Sequence, residues 1–480
     1  MRSVETDLTI SRKEAAFIIL IIAIGLSLRV IYVALLSHAE PIGDGLSYLK
    51  GAQDIANSRL YVETRGPAYS FFIAVLQQLF GGNHDGSLMR LEFAGLPLAI
   101  SERDLFVIRL GNVGLSTLAL FLVWAIARRI FSPNIGVLAA LWIAIHPRHV
   151  TFPLCIAAEN LYVTCVLVGI YLCICAMRSP QFWFCLAGGA VLALGALTRS
   201  MLLYFLPLAA AVVGMLSPGP RRRRVLLGLT VLMGGVLIVA PWTLRNYGVY
   251  DQFIPIDFSD GIPLFEGNYQ GEDYGLGVRL RMERRFHWEK AVMLSRGRRG
   301  RPPISGNHTG VYANLKIKEA AVQIIKDRQP AWILDKLVEN GPRLIHPLVN
   351  FPTSWDLVDK RCSHTVKTTI SAVFLPMHFL LLVLASLGAA SWRLRTPAVL
   401  LLIFLGFSFF AHIVANAGLS RFQYPYEWIL VLMACTTITT KLPRSSGRRL
   451  LAFGLLMIVL LSQLTVIGSW TDLTAWYPRN

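Results

Sequence analysis

The sequence predicts an all-α polytopic membrane protein, and three observations carry that prediction. Of 480 residues, 54% are hydrophobic and only 15% charged, with a mean hydropathy of +0.54; a soluble domain has a charged fraction of about a quarter. Apolar segments recur at 15–36, 105–127, 134–150, 155–177, 181–198, 200–216, 225–244, 366–390, 396–415, 426–440 and 450–470, giving about 11 candidate spans. The basic clusters between them fall in alternate loops.

The first element, Ala15 to Leu36, is long enough to cross the bilayer, because about 20 residues rising 1.5 Å each span the roughly 30 Å hydrocarbon core. It reads as a signal anchor, since it exceeds an h-region and lacks a small-residue cleavage pattern. Arg12-Lys13, Arg128-Arg129, Arg178, Arg221 to Arg224, Arg393 with Arg395, and Lys441 through Arg449 then set the orientation. Because Lys and Arg are retained on the cytoplasmic side, one assignment satisfies them all, with the N-terminus inside and the C-terminus outside. The outer loops are then 37–104, 146–159, the tip 198–200, 245–365 and 416–425.

The net charge of +18 is largely explained by these cytoplasmic loops, so nucleic-acid binding is not expected. Of seven cysteines, six lie in or beside spans and only Cys362 sits near an outer loop, with no disulfide framework or metal-ligand spacing. Cys173 and Cys175, two apart on a helix, read as small buried hydrophobes. Neither a metal nor a cofactor is expected.

Outside the membrane, Leu46 to Ala56 and Pro67 to Phe80 read as amphipathic helices lying along the surface. Arg65-Gly66-Pro67-Ala68-Tyr69 puts a cation and a helix-starting proline where backbone N–H groups favour an anion. The long outer segment contains a basic, Gly- and Pro-bearing stretch from Arg279 to Pro303. It then contains two helices, Val311 to Lys326 and Ala331 to Ile345, a small and mainly helical extramembranous domain. The Asn307-His308-Thr309 sequon matters only in a eukaryotic host.

The outer face also collects polar residues next to lipid. Asp44, in Pro41-Ile42-Gly43-Asp44-Gly45-Leu46-Ser47-Tyr48, emerges just past the first span; a carboxylate there points to chemistry or binding, compatible with capping the following helix. Glu159 follows the third span, where the helix dipole alone would also favour it. Arg199 occupies a connector too short to be a solvated loop, so an anionic partner is expected, whether phosphate or Glu159. Arg245 ends the seventh span and Arg421 precedes the tenth. Two carboxylates and several guanidiniums on one face suit a reaction that takes a proton from an acceptor and stabilises a phosphate leaving group.

These motifs resemble the GT-C superfamily of integral membrane glycosyltransferases, in the family 39-like branch that holds protein O-mannosyltransferases and lipid A aminoarabinose transferases. Gly43-Asp44-Gly45 with Tyr48 is similar to the acidic first-loop motif, and Arg65-Gly66-Pro67-Ala68-Tyr69 to the start of the second interfacial helix. Ala158-Glu159-Asn160-Leu161, Ala196-Leu197-Thr198-Arg199, Pro241-Trp242-Thr243-Leu244-Arg245-Asn246 with Gly267-Asn268, and Ser420-Arg421-Phe422-Gln423-Tyr424-Pro425 extend the match nearly end to end. The resemblance implies a polyprenyl-phosphate sugar donor and inverting transfer to a glycolipid, glycan or protein acceptor. Asp44 would be the base and Glu159 the second acid, with Arg65, Arg199, Arg245 and Arg421 as donor-phosphate ligands. Tyr48, Tyr69, Trp242, Asn246, Asn268 and Tyr424 would line the substrate pocket. Two positions depart from the pattern: Gly45 stands where many relatives carry a second acid, and Phe422 where tyrosine is usual.

The chain is expected to divide into an N-terminal transmembrane module, 1–244, carrying the catalytic first outer loop 37–104, an outer domain, 245–365, and C-terminal helices, 366–480. The expected location is a bacterial inner membrane with the catalytic side periplasmic. A glycan ligase or polymerase using an undecaprenyl-diphosphate oligosaccharide would carry its functional residues in a large late loop. A transporter or flippase would need midplane charges and an internal repeat, and neither is evident.

Overall fold

The structure, a computed structural model, describes residues 10–37, 39–41, 43–59, 61, 65–81, 88–93, 96–258, 261–268, 307–345, 364–389, 391–392, 397–415, 420–439, 447, 450–457 and 459–460. The basic stretch 279–303, Cys362, Arg393, Arg395 and much of the expected span 450–470 lie outside the described residues.

Helix α1 (Arg12–Leu35) starts at Ser11, whose hydroxyl accepts from the Glu14 N–H. Two short helices follow, α2 (Asp44–Ala56) and α3 (Ala68–Phe80), within a residue or two of the expected surface helices. An antiparallel hairpin that hydropathy did not anticipate follows, β1 (Leu88–Phe93) and β2 (Leu96–Ser101), paired from Leu88 with Ser101 to Phe93 with Leu96. Its alternate residues Leu98 and Ile100 are buried against Tyr48, Leu49, Ala52, Tyr69 and Ile73 of the two surface helices. This small core is separate from the bundle core, which is why the first outer loop holds a defined shape above the membrane.

The bundle continues with α4 (Glu102–Ile130), capped by Ser101, and α5 (Pro133–Ile145). The expected single span 134–150 is broken at His146-Pro147, where α6 (Pro147–Thr151) and a following 3-10 turn leave at 60° to α5. Proline has no N–H to continue the helix and pushes its predecessor extended, and His146 has ψ 126°. Helices α7 (Glu159–Arg178), α8 (Phe182–Ala196), α9 (Phe205–Leu216) and α10 (Arg221–Tyr250) complete the N-terminal half. Pro241 is accommodated inside α10, so the Trp242-to-Asn246 motif rides on a helix that projects past the expected span end at 244. Small residues let α8 and α10 approach closely: a Cβ added at Gly189 would lie 1.9 Å from the Val231 carbonyl oxygen.

The outer segment holds α11 (Gly261–Asn268), α12 (Asn307–Asp327) and α13 (Trp332–Ile345), the last two close to the expected pair. The C-terminal helices are α14 (His364–Ala389), α15 (Ala398–Ala415) and α16 (Tyr424–Thr439). By length and composition four helices, α1, α4, α7 and α10, can each cross a membrane among the described residues, and the bent α5–α6 pair would be a fifth. The others that match expected spans are shorter apolar helices or are described only in part.

One cation inside the bundle is satisfied rather than lipid-facing. Arg29 is fully buried and donates to Ser116 Oγ and to the carbonyls of Gly25, Ile143 and Ala144. At the end bearing the basic loops, Arg128 pairs with Glu14 at 2.8 Å and Arg129 donates to the Tyr171 hydroxyl. All six described cysteines are buried, as expected of small hydrophobes.

Candidate active site

The end of the bundle opposite those basic loops carries the predicted acidic and basic residues. Asp44 opens α2 behind Gly43, whose φ of 59° suits glycine and which, rather than Asp44, holds the N-cap position. The Asp44 carboxylate accepts from Arg65 at 2.6 Å, both side chains being about a third exposed (35% and 32%). Glu159 sits in the first turn of α7 and pairs with Arg199 at 2.7 Å, in a drier setting with side chains 6% and 20% exposed. Of the two anionic partners expected for Arg199, the structure provides Glu159.

The two pairs are held side by side by backbone packing. The Ala68 N–H donates to the Leu197 carbonyl at 3.0 Å, and a Cβ on Gly66 would come within 2.3 Å of that same oxygen. Only glycine lets the loop carrying Arg65 lie on the tip carrying Arg199. Gly45 also has a steric account: a Cβ there would meet the Ile156 carbonyl at 3.1 Å, leaving little space for an acidic side chain beside Asp44.

Tyr48 is buried between the pairs, edge-on to Tyr69 with ring centroids 5.1 Å apart and with Arg65 5.7 Å from its ring centre. Its phenol is pushed up to about 12, by burial first; Arg65 and Arg199 pull it down, while Asp44 and Glu159 push it up. All four charged groups therefore act on one hydroxyl. Burial opposes the charge on Arg199, but Glu159, Tyr48, Tyr162 and Asp44 outweigh it and raise its pKa above the ordinary value. Tyr69, also raised by burial, donates to Asn112 at 3.0 Å.

Arg245 joins the site differently. It donates to the Tyr61 carbonyl and to Asn246 Oδ1 at 3.0 Å, and it stacks over Trp242 at 4.7 Å. Among the described residues it has no carboxylate partner within salt-bridge distance, so its charge faces only neutral acceptors. Trp242 and Asn246 are scaffold for it: the indole donates to the Ile256 carbonyl at 2.9 Å, and Asn246 to those of Ile254 and Ile256. Tyr61, which no sequence pattern singles out, links the basic groups, because its hydroxyl donates toward the Arg65 carbonyl at 3.3 Å and its ring meets Trp242 edge-on.

The remaining predicted residues are placed apart. Asn268 is fully buried and joins elements, donating to the carbonyls of Leu264 and Val414 and accepting from the Trp332 indole. Tyr424 is buried and stacks on Phe152 at 4.1 Å. The Arg421 side chain lies outside the described residues. Its neighbour Phe422, the departure from the family pattern, lies under the Arg199 guanidinium at 5.0 Å, a cation–π contact that keeps an aromatic face where tyrosine is usual.

Comparison with known proteins bears on the fold. Residues 85–244 match the family model described as dolichyl-phosphate-mannose-protein mannosyltransferase. An oligosaccharyltransferase from Archaeoglobus fulgidus, AglB, solved with an inhibitory peptide and a dolichol-phosphate, aligns over 94% of this chain and 55% of its own at 13% identity and TM-score 0.51. The apo form of that archaeon's oligosaccharyltransferase aligns over 94% and 56% at 14% identity and TM-score 0.52. The chain has the fold of these membrane proteins, the GT-C fold. It spans a little over half the length of these relatives (55% and 56%). ArnT from Cupriavidus metallidurans bound to undecaprenyl phosphate, at 16% identity over 88% of this chain and 78% of its own, has a TM-score of 0.38, too low for comparison of sites. No curated protein matches the chain.

Proposed function

We propose that the protein transfers a sugar from a polyprenyl-phosphate donor to a hydroxyl or phosphate acceptor at the outer membrane face, with inversion. The observation that carries this reading is the grouping of Asp44–Arg65 and Glu159–Arg199 around Tyr48, beside an Arg245 that lacks a carboxylate partner among the described residues. In the proposed reaction Asp44 accepts the acceptor's proton while the acceptor oxygen bonds to the anomeric carbon from the face opposite the leaving group. The bond from that carbon to the phosphate oxygen breaks, and the polyprenyl phosphate departs with the electron pair. Arg245, Arg199 and Arg65 stabilise the charge developing on that phosphate. Glu159 holds Arg199 at the tip and is the second acid.

The division into a module 1–244, an outer domain 245–365 and C-terminal helices 366–480 belongs to this proposal, as does a periplasmic catalytic side on a bacterial inner membrane. The acceptor is a glycolipid, glycan or protein. A ligase or polymerase is less well supported, because the grouped residues come from the first outer loop and short connectors rather than from a large late loop. The test is transfer in proteoliposomes from a panel of polyprenyl-phosphate sugars. Release of polyprenyl phosphate with one donor is expected. Folded protein that turns over only diphosphate-linked oligosaccharides would replace this reading with the ligase.

A further inference from the structure

Away from that site, the break between α5 and α6 meets the start of α16. There His146, His149 and Glu427 bring three ligand atoms within 4.8 Å of one another, all buried. His146 Nδ1 lies 3.3 Å and His149 Nε2 lies 3.6 Å from the same oxygen, Glu427 Oε1. Yet among the described residues none of these atoms makes a hydrogen bond: both ring nitrogens of His146, Nε2 of His149 and Oε1 of Glu427 are without partners there. Buried polar atoms are rarely left in that state, and here one from each of the three residues faces one small volume.

The two separations from Glu427 Oε1 are close to those of a coordination polyhedron, since ligands about 2.0 to 2.1 Å from a tetrahedral zinc lie roughly 3.3 to 3.4 Å apart. The other carboxylate oxygen is already committed: Glu427 Oε2 accepts from Arg148 at 2.5 Å, and Arg148 also donates to Gln423 Oε1 at 3.1 Å. That arrangement orients the carboxylate and leaves Oε1 turned to the two imidazoles, as outer contacts of metal ligands do. Two imidazoles and one carboxylate form a borderline donor set, suited to zinc-class divalent ions rather than to calcium or magnesium.

We infer that His146, His149 and Glu427 form a buried site for a zinc-class divalent transition-metal ion, clasping the outer end of α5 and α6 to α16. The site is independent of the proposed transfer reaction. It lies close behind the candidate active site: His149 packs on Tyr424 at 5.2 Å, and the turn that leads into Tyr424 carries Phe422 under Arg199. The ion is structural, fixing that turn and taking no part in bond making.

The test uses the full, tag-free chain in detergent, stripped with a chelator and reloaded separately with zinc and with cobalt. Elemental analysis should find about one ion retained per chain, as for a structural site, with a cobalt absorption spectrum of low-symmetry nitrogen and oxygen coordination. Glu427→Gln and His149→Ala should each retain less than about a tenth of that, while Asp44→Asn, which removes none of the three ligands, retains all of it. Where the variants do not fold, the wild-type cobalt spectrum decides alone. A wild-type chain that retains no zinc and shows no ligand-field bands at saturating cobalt would overturn the inference and leave a hydrated polar cluster.

Discussion

Gly66 lies against Leu197 so closely that a β-carbon on the glycine would stand 2.3 Å from the leucine's carbonyl oxygen. This contact sets the loop of Arg65 on the tip of Arg199, two guanidiniums that are far apart in sequence. Gly66→Ala should therefore lower turnover by about 10- to 100-fold, the cost of misplacing a charged group by a fraction of an ångström to an ångström. Gly114→Ala, where an added β-carbon meets nothing within 4 Å, should leave activity unchanged. Turnover and melting measured on both variants separate the two cases.

Asp44→Asn should fold and bind donor yet turn over on the order of 10² more slowly, the scale of a lost general base. Purified variant protein with near-wild-type turnover would remove Asp44 from the mechanism.

Arg199→Ala and Arg245→Ala should each weaken donor binding or transition-state stabilisation by about ten- to a hundredfold, with partial rescue by lysine, which keeps the charge but not the fork. They should differ in stability. Removing Arg199 strands Glu159, whose side chain is only 6% exposed, whereas Arg245 leaves no carboxylate behind among the described residues. A loss of about 2 kcal/mol is expected for Arg199→Ala, below the roughly 3 to 5 of a fully buried broken pair. Adding Glu159→Gln should recover part of it, which denaturation of the single and double variants would read directly.

The phenol of Tyr48 gives a pH signature. Its folded pKa, pushed up to about 12 from the ordinary tyrosine value of about 10, means the neutral form is favoured in the fold. Its contribution is therefore fully present below about pH 10 and is lost as pH rises toward about 12. Tyr48→Phe should lessen the alkaline decline in stability in that window; an identical decline in the variant would place the effect elsewhere.

Orientation is tested by cysteine labelling in a background without native thiols. An impermeant reagent should reach a cysteine at position 300 from outside, and one at Pro218 only after permeabilisation. The reverse pattern would place Asp44 in the cytoplasm and remove the basis for a donor loaded from the outer face.

The sequence by itself determined the membrane class, helices on the expected segments wherever these fall among the described residues, the two surface helices and the charged residues that meet at one end of the bundle. Those are local properties: span length, alternating basic loops and short motifs are visible within a few residues of one another. Tertiary structure decided which charges pair, because Asp44 with Arg65 and Glu159 with Arg199 are joined across 21 and 40 residues by the packing of Gly66 on Leu197. It also gave Phe422 its place under Arg199, and Asn268 a joining role rather than a place beside the charged pairs. The hairpin 88–101 escaped hydropathy because its signal is a two-residue alternation over six residues per strand. His146 and His149 meet Glu427 only through the fold, since Glu427 lies on a helix some 280 residues downstream. No local pattern can encode a contact whose partners are brought together only when α5, α6 and α16 bury their faces against one another.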